Sequence, residues 1–231
     1  MTRLSIVMPV LEEGAGIAAA LAALAAMRGR GVEVIVADGG SLDDTVAKAR
    51  PLADLVIVAP RGRAAQMNAG ALSATGEVLL FLHADARLPD DADRLVLQAL
   101  EQSWRLWGRF DVALSGRPLV LRLVAFMMNL RSRISGIATG DQAIFVRADA
   151  FRSVGGYPDI ALMEDITLSK ALKRLARPVA LAERVIASGR RFEAKGAWRL
   201  ILLMWRLRLA YWLGEDPNEL ARRYGYVPRA G

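Results

Sequence analysis

Several short stretches of the chain hold side chains whose types and spacing can do chemistry. LLFLHADARLP ends an apolar run in His83, Ala84 and Asp85, and His83 is the one histidine of the sequence. Two residues apart at a strand terminus, His83 and Asp85 can point the same way. A carboxylate with an imidazole beside it can hold a divalent cation that also ligates phosphate oxygens, because Mg²⁺ takes few protein ligands and several from substrate. The plainer reading is a turn begun by Asp85 ahead of Leu88 and Pro89, with His83 closing the strand. ALMEDITLSK opens a helix with Glu164 and Asp165. Carboxylates in a first turn gain from the helix dipole, and one placed there can equally take a proton from an attacking hydroxyl. Spacing does not choose between these.

Two further stretches suit a phosphorylated ligand. Asp38-Gly39-Gly40-Ser41 follows an apolar run, so its glycines allow close backbone approach and the helix after Ser41 offers free N–H groups. Asp38 can accept hydrogen bonds from a base or a ribose, or the stretch is an ordinary turn with Ser41 and Asp44 forming a capping box. It is not a dinucleotide fingerprint, since G-x-G-x-x-G is absent. PRGRAAQMNAGALSATGE sets Arg61 and Arg63 before a helix, with Asn68 one turn in. The arginines can neutralise a diphosphate or stand solvated in a loop.

The elements that must position these residues read as strand–helix steps. RLSIVMPVL, VEVIVADGG, DLVIVAP and EVLLFLHAD are continuous Val/Ile/Leu runs without alternation, which marks strands covered on both faces of a parallel sheet. Helical segments lie between them, so residues 1–100 are expected to form an open doubly wound α/β unit. Ligands of such sheets sit beyond the carboxyl ends of the strands. Pro9 and Glu12, Asp38, Arg61, and His83 with Asp85 follow strands one to four, and all are expected on that edge. Beyond residue 100 the order loosens: a helix near 90–102, strands RFDVAL, AIFVR and VALAERVIAS, and a helix from ITLSKALKRLA. No repeat or low-complexity linker divides the chain, which suggests one domain of residues 1–231, with a nucleotide-binding half (1–100), an acceptor half (101–192) and a C-terminal helical segment (193–231).

At 231 residues the chain can bury a sizeable core. It has no cysteine, which removes disulfides, thiolate metal sites and a cysteine nucleophile, and fits a cytoplasmic location. Glu12 and Glu13 interrupt the first apolar stretch, so no signal peptide is expected. The net charge of +7 suits anionic lipid or a phosphorylated substrate better than nucleic acid, because the basic residues are scattered and no nucleic-acid-binding signature occurs. Residues 118–133 and 197–214 are apolar and studded with arginine. Helices of that kind lie on a membrane surface or against a partner such as a second copy, or are buried with snorkelling arginines.

Together these stretches resemble the family-2 glycosyltransferases of GT-A fold. SIVMPVLEE is similar to the family's opening strand, and VIVADGGSLDDT to its D-G-S-x-D-x-T stretch. RGRAAQMNAGALSATGEVLLFLHAD resembles the run that ends in the D-x-D metal site, and GDQAIFVRADAFRSVGGYPDIALMED resembles the acceptor segment closing on Glu-Asp. The resemblance runs from Ser5 to about Arg191 and keeps the family's motif order. It implies a UDP- or GDP-sugar donor, a divalent cation (Mn²⁺ or Mg²⁺) and inversion at the anomeric carbon. By that resemblance Pro9, Glu12 and Asp38 contact the nucleoside and Arg61 lies near the nucleotide. Asp85 binds metal, Asp165 is the base, Glu164 helps to position the acceptor, and Asp141 and Gln142 after Gly140 shape its floor. His83 departs from the pattern, standing where the family has the first Asp of D-x-D. An imidazole is a poorer ligand for a hard cation, so Asp85 is expected to carry the metal with His83 a weak ligand or a donor to phosphate. The H-A-D, G-D-Q and L-M-E-D combination resembles a small bacterial branch found in selenium- or arsenosugar-type gene neighbourhoods. Two other readings use the same fold. A sugar-1-phosphate nucleotidyltransferase needs a basic loop after strand one, which VMPVLEEGAG lacks. A non-catalytic membrane-surface scaffold leaves Glu164, Asp165, His83 and Asp85 without a role.

Overall fold

The computed structural model describes residues 3–102, 104–116 and 120–226. Positions 118 and 119 of the first apolar segment and 227–231 of the C-terminal segment lie outside them. One eight-stranded sheet runs through the molecule. Its strands are β1 (Leu4–Val10), β2 (Glu33–Asp38), β3 (Leu55–Val58), β4 (Val78–Phe81), β5 (Ala86–Arg87), β6 (Trp107–Ser115), β7 (Phe145–Arg147) and β8 (Val179–Ser188), in the order β3-β2-β1-β4-β7-β6-β8-β5. β3, β2, β1 and β4 are mutually parallel, with Pro9 opposite Ala37 and Val7 opposite Phe81. β7 enters antiparallel between β4 and β6, while β8 runs parallel to β6.

Eleven α-helices cover the sheet among the described residues: α1 (Ile17–Ala22), α2 (Ala25–Gly29), α3 (Thr45–Ala49), α4 (Arg63–Ser73), α5 (Ala92–Ala99), α6 (Val120–Ser135), α7 (Ala148–Ser153), α8 (Glu164–Leu175), α9 (Arg190–Lys195), α10 (Ala197–Trp212) and α11 (Pro217–Tyr224). Strand residues point alternately to the two faces, and β1 divides accordingly. Ile6, Met8 and Val10 meet Ile17, Leu21, Met27 and Val96 on one face, while Val7 meets Met67, Phe81, Phe151 and Leu168 on the other. Burial on both faces is the reason for the unbroken apolar runs of β1, β2 and β4; β3 departs from the expectation, because it forms the sheet edge and leaves Leu55 and Val58 exposed. Close packing of α4 depends on Gly70, where an added Cβ would stand 2.3 Å from Val7 Cγ1. A third cluster joins Leu162, Met163 and Ile166 to Leu207, Leu220 and Ala221, seating α10 and α11 against the start of α8.

One local expectation fails. Ser41 does not cap α3: its hydroxyl donates to Asp38 and accepts the N–H of Glu12, while Asp43 takes the N–H and hydroxyl of Thr45. Asp43 stands two residues before Thr45 and reaches it directly, which leaves Ser41 free to tie the β1 and β2 loops together.

Candidate active site

The carboxyl ends of β1 and β2 form a rigid corner. Asp38 is buried, its carboxylate accepting the N–H groups of Gly40 (2.9 Å) and Ser41 (3.0 Å) and the Ser41 hydroxyl (2.5 Å). Gly40 takes φ +89, a conformation costly for any residue with a Cβ. Glu12 adopts φ 55, rare outside glycine, and its carboxylate accepts the Leu42 N–H at 2.8 Å. Pro9 is buried within β1, one residue short of the strand's end. Beneath the corner, buried Gln66 of α4 donates to the carbonyls of Val10 (2.7 Å) and Ala37 (2.9 Å). Sequence reasoning passed over Gln66, although a glutamine on the Ala64, Met67 and Gly70 face of α4 was the signal.

The three polar residues expected from the β3–α4 stretch part company. Arg61 is exposed in the loop after β3. Arg63 turns inward: its Nε lies 3.2 Å from Glu164 Oε1 and its guanidinium stacks 4.9 Å above the Tyr226 ring. Burial alone would lower its pKa, but Glu164, Tyr226, Asp165 and Asp141 carry it above the ordinary value. Asn68 spends its amide on the backbone, donating to the Tyr157 carbonyl (2.8 Å) and accepting the Tyr157 N–H (2.9 Å). It clasps the turn in which Gly155 and Gly156 take φ +81 and +73.

The two halves meet at His83. The Ala86 N–H returns to the His83 carbonyl at 3.0 Å, making a turn that carries Asp85 into solvent. The His83 ring, half-buried, lies against Gly140, where a Cβ would come within 2.5 Å of Cε1, and Nδ1 stands 3.8 Å from Asp141 Oδ1. Gly140, Asp141 and Gln142 form a single 3₁₀ turn. Gln142 is fully buried, with its carbonyl oxygen accepting the Thr139 N–H at 3.2 Å and its amide donating toward Asn129 at 3.4 Å. It holds the 3₁₀ turn from beneath. Asn129, the polar break in AFMMNL, in turn grips both backbone groups of Val112.

Asp165 Oδ2 accepts the Gly140 N–H at 2.8 Å, and Oδ1 accepts the Ile166 N–H at 2.7 Å. Its neighbour is set apart by burial. Glu164 is buried, one oxygen facing Arg63 and the other without a hydrogen-bond partner. Burial pushes its pKa up, Arg63 pulls it down and Asp165 pushes it up again, leaving it at about 7. Met163 at φ 70 and Ala143 at φ 45 complete, with Glu12, the set of non-glycine residues in the left-handed region among those described. All three border this rim, and strained backbone of that kind gathers at functional sites.

No three His, Asp or Glu side chains converge as a self-sufficient metal site among the described residues. His83 Nδ1 and Asp141 Oδ1 stand 3.8 Å apart and Asp85 is exposed two residues on from His83; such oxygen and imidazole donors suit a cation that completes its shell with phosphate oxygens and water. The rim thus offers fixed backbone dipoles and two neighbouring acids of unlike burial.

This is the rim of a GT-A-type α/β fold. The architecture matches Staphylococcus aureus TarS 1–349 with UDP-GlcNAc (TM-score 0.65, 20% identity, 80% of this chain and 58% of that one). It also matches the mannosyltransferase PcManGT of Pyrobaculum calidifontis with GDP-Man and Mn²⁺ (0.63, 21%, 98% and 66%). A third match is glucosyl-3-phosphoglycerate synthase of Mycobacterium tuberculosis with Mn²⁺, UDP and glucosyl-3-phosphoglycerate (0.64, 16%, 100% and 82%). The chain spans less than two thirds of TarS 1–349. Curated protein sequences give no match. Residues 5–152 match the glycosyl transferase family 2 model, and the chain belongs to that family.

Proposed function

We propose that the protein is an inverting, cation-assisted glycosyltransferase that moves a sugar from a UDP- or GDP-sugar to an acceptor hydroxyl. Residues 1–100 hold the donor and 101–192 the acceptor, and α10 and α11 brace the acceptor side. Glu12, Asp38 and the backbone around Pro9 frame the nucleoside, and Arg61 meets the diphosphate. Asp85, with His83 and Asp141 beside it, would hold the cation, which would supply positive charge against the charge growing on the departing diphosphate. Mn²⁺ with UDP or GDP-Man in two structural neighbours supports this assignment.

Asp165 takes the proton from the acceptor hydroxyl. The oxygen forms a bond to the anomeric carbon as the bond from that carbon to the diphosphate oxygen breaks, and the electron pair leaves with the nucleoside diphosphate. Attack opposite the leaving group inverts the centre. The observation that carries this reading is Asp165, pinned by the Gly140 N–H to the turn on which His83 rests. Glu164, held by Arg63, helps to position the acceptor. Asp165→Asn tested with a panel of UDP-, GDP- and dTDP-sugars should lose about a hundredfold or more in turnover. Near-wild-type transfer would remove Asp165 from the role.

The outer face of α10 favours a second assignment, contact with a membrane surface. Trp198, Leu202, Trp205, Leu209 and Trp212 recur at helical spacing and are all more than half exposed, and Leu123, Phe126 and Ile134 of α6 are exposed likewise. No helix among the described residues is long and apolar enough to cross a membrane. A cytoplasmic enzyme resting on anionic lipid through this face accounts for the tryptophans, since Trp favours the interface. Sedimentation with anionic vesicles tests it: wild type should co-sediment and Trp205→Glu should not. Concentration-dependent dimerisation without vesicle binding would assign the face to a second copy.

A further inference from the structure

Tyr226 follows the last helix and meets a residue more than 160 positions earlier in the chain, Arg63 at the head of α4. Its placement is built locally. Pro217 opens α11, Asp216 caps it by accepting the Asn218 N–H at 2.9 Å, and Leu220 and Ala221 bury against Leu162, Met163 and Ile166. Gly225 ends the helix at φ +94, donating its N–H to the Arg222 carbonyl (3.0 Å), while the Tyr226 N–H donates to the Ala221 carbonyl (2.8 Å). A paired closure of this kind fixes the direction of the residue after the glycine. Tyr224 supports the Tyr226 ring edge-on, with 5.1 Å between centroids. The ring lies 4.9 Å from the Arg63 guanidinium, whose Nε stands 3.2 Å from Glu164 Oε1. One stack and one ion pair thus join the C-terminal segment, α4 and the start of α8.

The two members of the ion pair are unequally covered. The Glu164 side chain is 5% exposed and that of Arg63 34%, so water competes for the cation far more than for the acid. An aromatic ring on the guanidinium face attracts the cation and keeps water from that face, which strengthens its hold on the carboxylate. We propose that Tyr226 is a positioning residue of the transfer reaction: it keeps Arg63 on Glu164, and through them keeps the start of α8, with Asp165, in place for the acceptor. The inference rests on the glycosyltransferase reading above. Asp165 has its own partners, since it binds the Gly140 N–H and attracts Arg131 and Arg208, which line one cavity with Ile166. The residue before it relies on Arg63. If the ring is lost, the guanidinium is free to turn to solvent, and a buried acid left without its cation moves or draws in water. Small displacements next to a reacting group are costly in rate.

The test uses the full chain as wild type, Tyr226→Leu, Tyr226→Phe, Arg63→Met and the double variant Tyr226→Leu with Arg63→Met. Water can stand in for the acceptor, so turnover is read as release of UDP or GDP from a panel of sugar nucleotides with Mn²⁺. Tyr226→Leu should lower kcat about threefold or more with the KM for the donor unchanged. Tyr226→Phe keeps the stack and should restore kcat. Leucine at 226 should cost the double variant no further kcat beyond Arg63→Met alone, because contacting residues are not additive. A loss of stability to urea with kcat unchanged would show a ring that only packs the C-terminal segment, and overturns the proposal. So does a kcat loss that Tyr226→Phe shares, or one that adds in full to that of Arg63→Met. Sugar-nucleotide hydrolysis that Tyr226→Leu leaves unaltered sinks this inference alone. A wild type that neither binds UDP with Mn²⁺ nor hydrolyses any sugar nucleotide sinks the glycosyltransferase reading, and this inference with it.

Discussion

Asp165 Oδ2 and the Gly140 N–H meet at 2.8 Å, across 25 residues of sequence, and Gly140 is the residue on which the His83 ring rests. One hydrogen bond therefore couples the start of α8 to the turn packed against the end of β4, holding the two in a fixed relation.

Gly140→Ala tests that coupling. The new Cβ would fall 2.5 Å from His83 Cε1 and 2.7 Å from Nε2, so the imidazole must move. Turnover should drop by about tenfold or more, since small misplacements near reacting groups cost that much or beyond. The circular dichroism spectrum should stay that of wild type. Steady-state kinetics across a Mn²⁺ series reads the effect.

Asp85→Asn should abolish the Mn²⁺-dependent part of UDP binding, because Asp85 is the exposed carboxylate at the end of β4. His83→Ala should weaken it less, imidazole being the poorer partner for a hard cation. A thermal-shift screen of UDP and GDP with and without Mn²⁺ reads both variants. Identical shifts for Asp85→Asn and wild type would move the cation elsewhere.

Glu164 imposes a pH dependence on stability. Its folded pKa of about 7 lies above the ordinary carboxyl value of 4.5, so between those values the folded state holds a proton that the unfolded state releases. Stability from this group is thus greatest below 4.5 and is lost as pH rises toward 7. Glu164→Gln should flatten the melting temperature across that window, and a scan from pH 5 to pH 8 checks it.

Asn68→Ala should destabilise the protein by about 1–3 kcal/mol, the cost of leaving buried backbone groups unpaired. It takes both hydrogen bonds from the Tyr157 backbone. Urea denaturation measures the loss. Unchanged UDP affinity would mark Asn68 as a clasp, whereas a matching loss of UDP affinity would return it to the donor site.

The buried strands β1, β2 and β4, their parallel order and the edge that gathers Glu12, Asp38, Arg61 and Asp85 were legible in the sequence, whereas the exposure of β3 was not, since its apolar run gives no sign that it ends the sheet. Val/Ile/Leu runs report burial on both faces, and the preference of ligands for the carboxyl ends of parallel strands then gives the residues after each strand a common edge. Glu164 and Asp165 were legible as a pair of acids at a helix start. Their division was not. Only the tertiary packing around the start of α8 sets Arg63, stacked on Tyr226, against Glu164, and only the 3₁₀ turn at Gly140 takes hold of Asp165. The inward turn of Arg63, the clasp made by Asn68 and the meeting of Arg131 with Arg208 likewise join residues distant in sequence. Periodicity and spacing carry information over a few turns of chain. The neighbours that set a side chain's solvation and charge come from contacts made only once the sheet is wrapped.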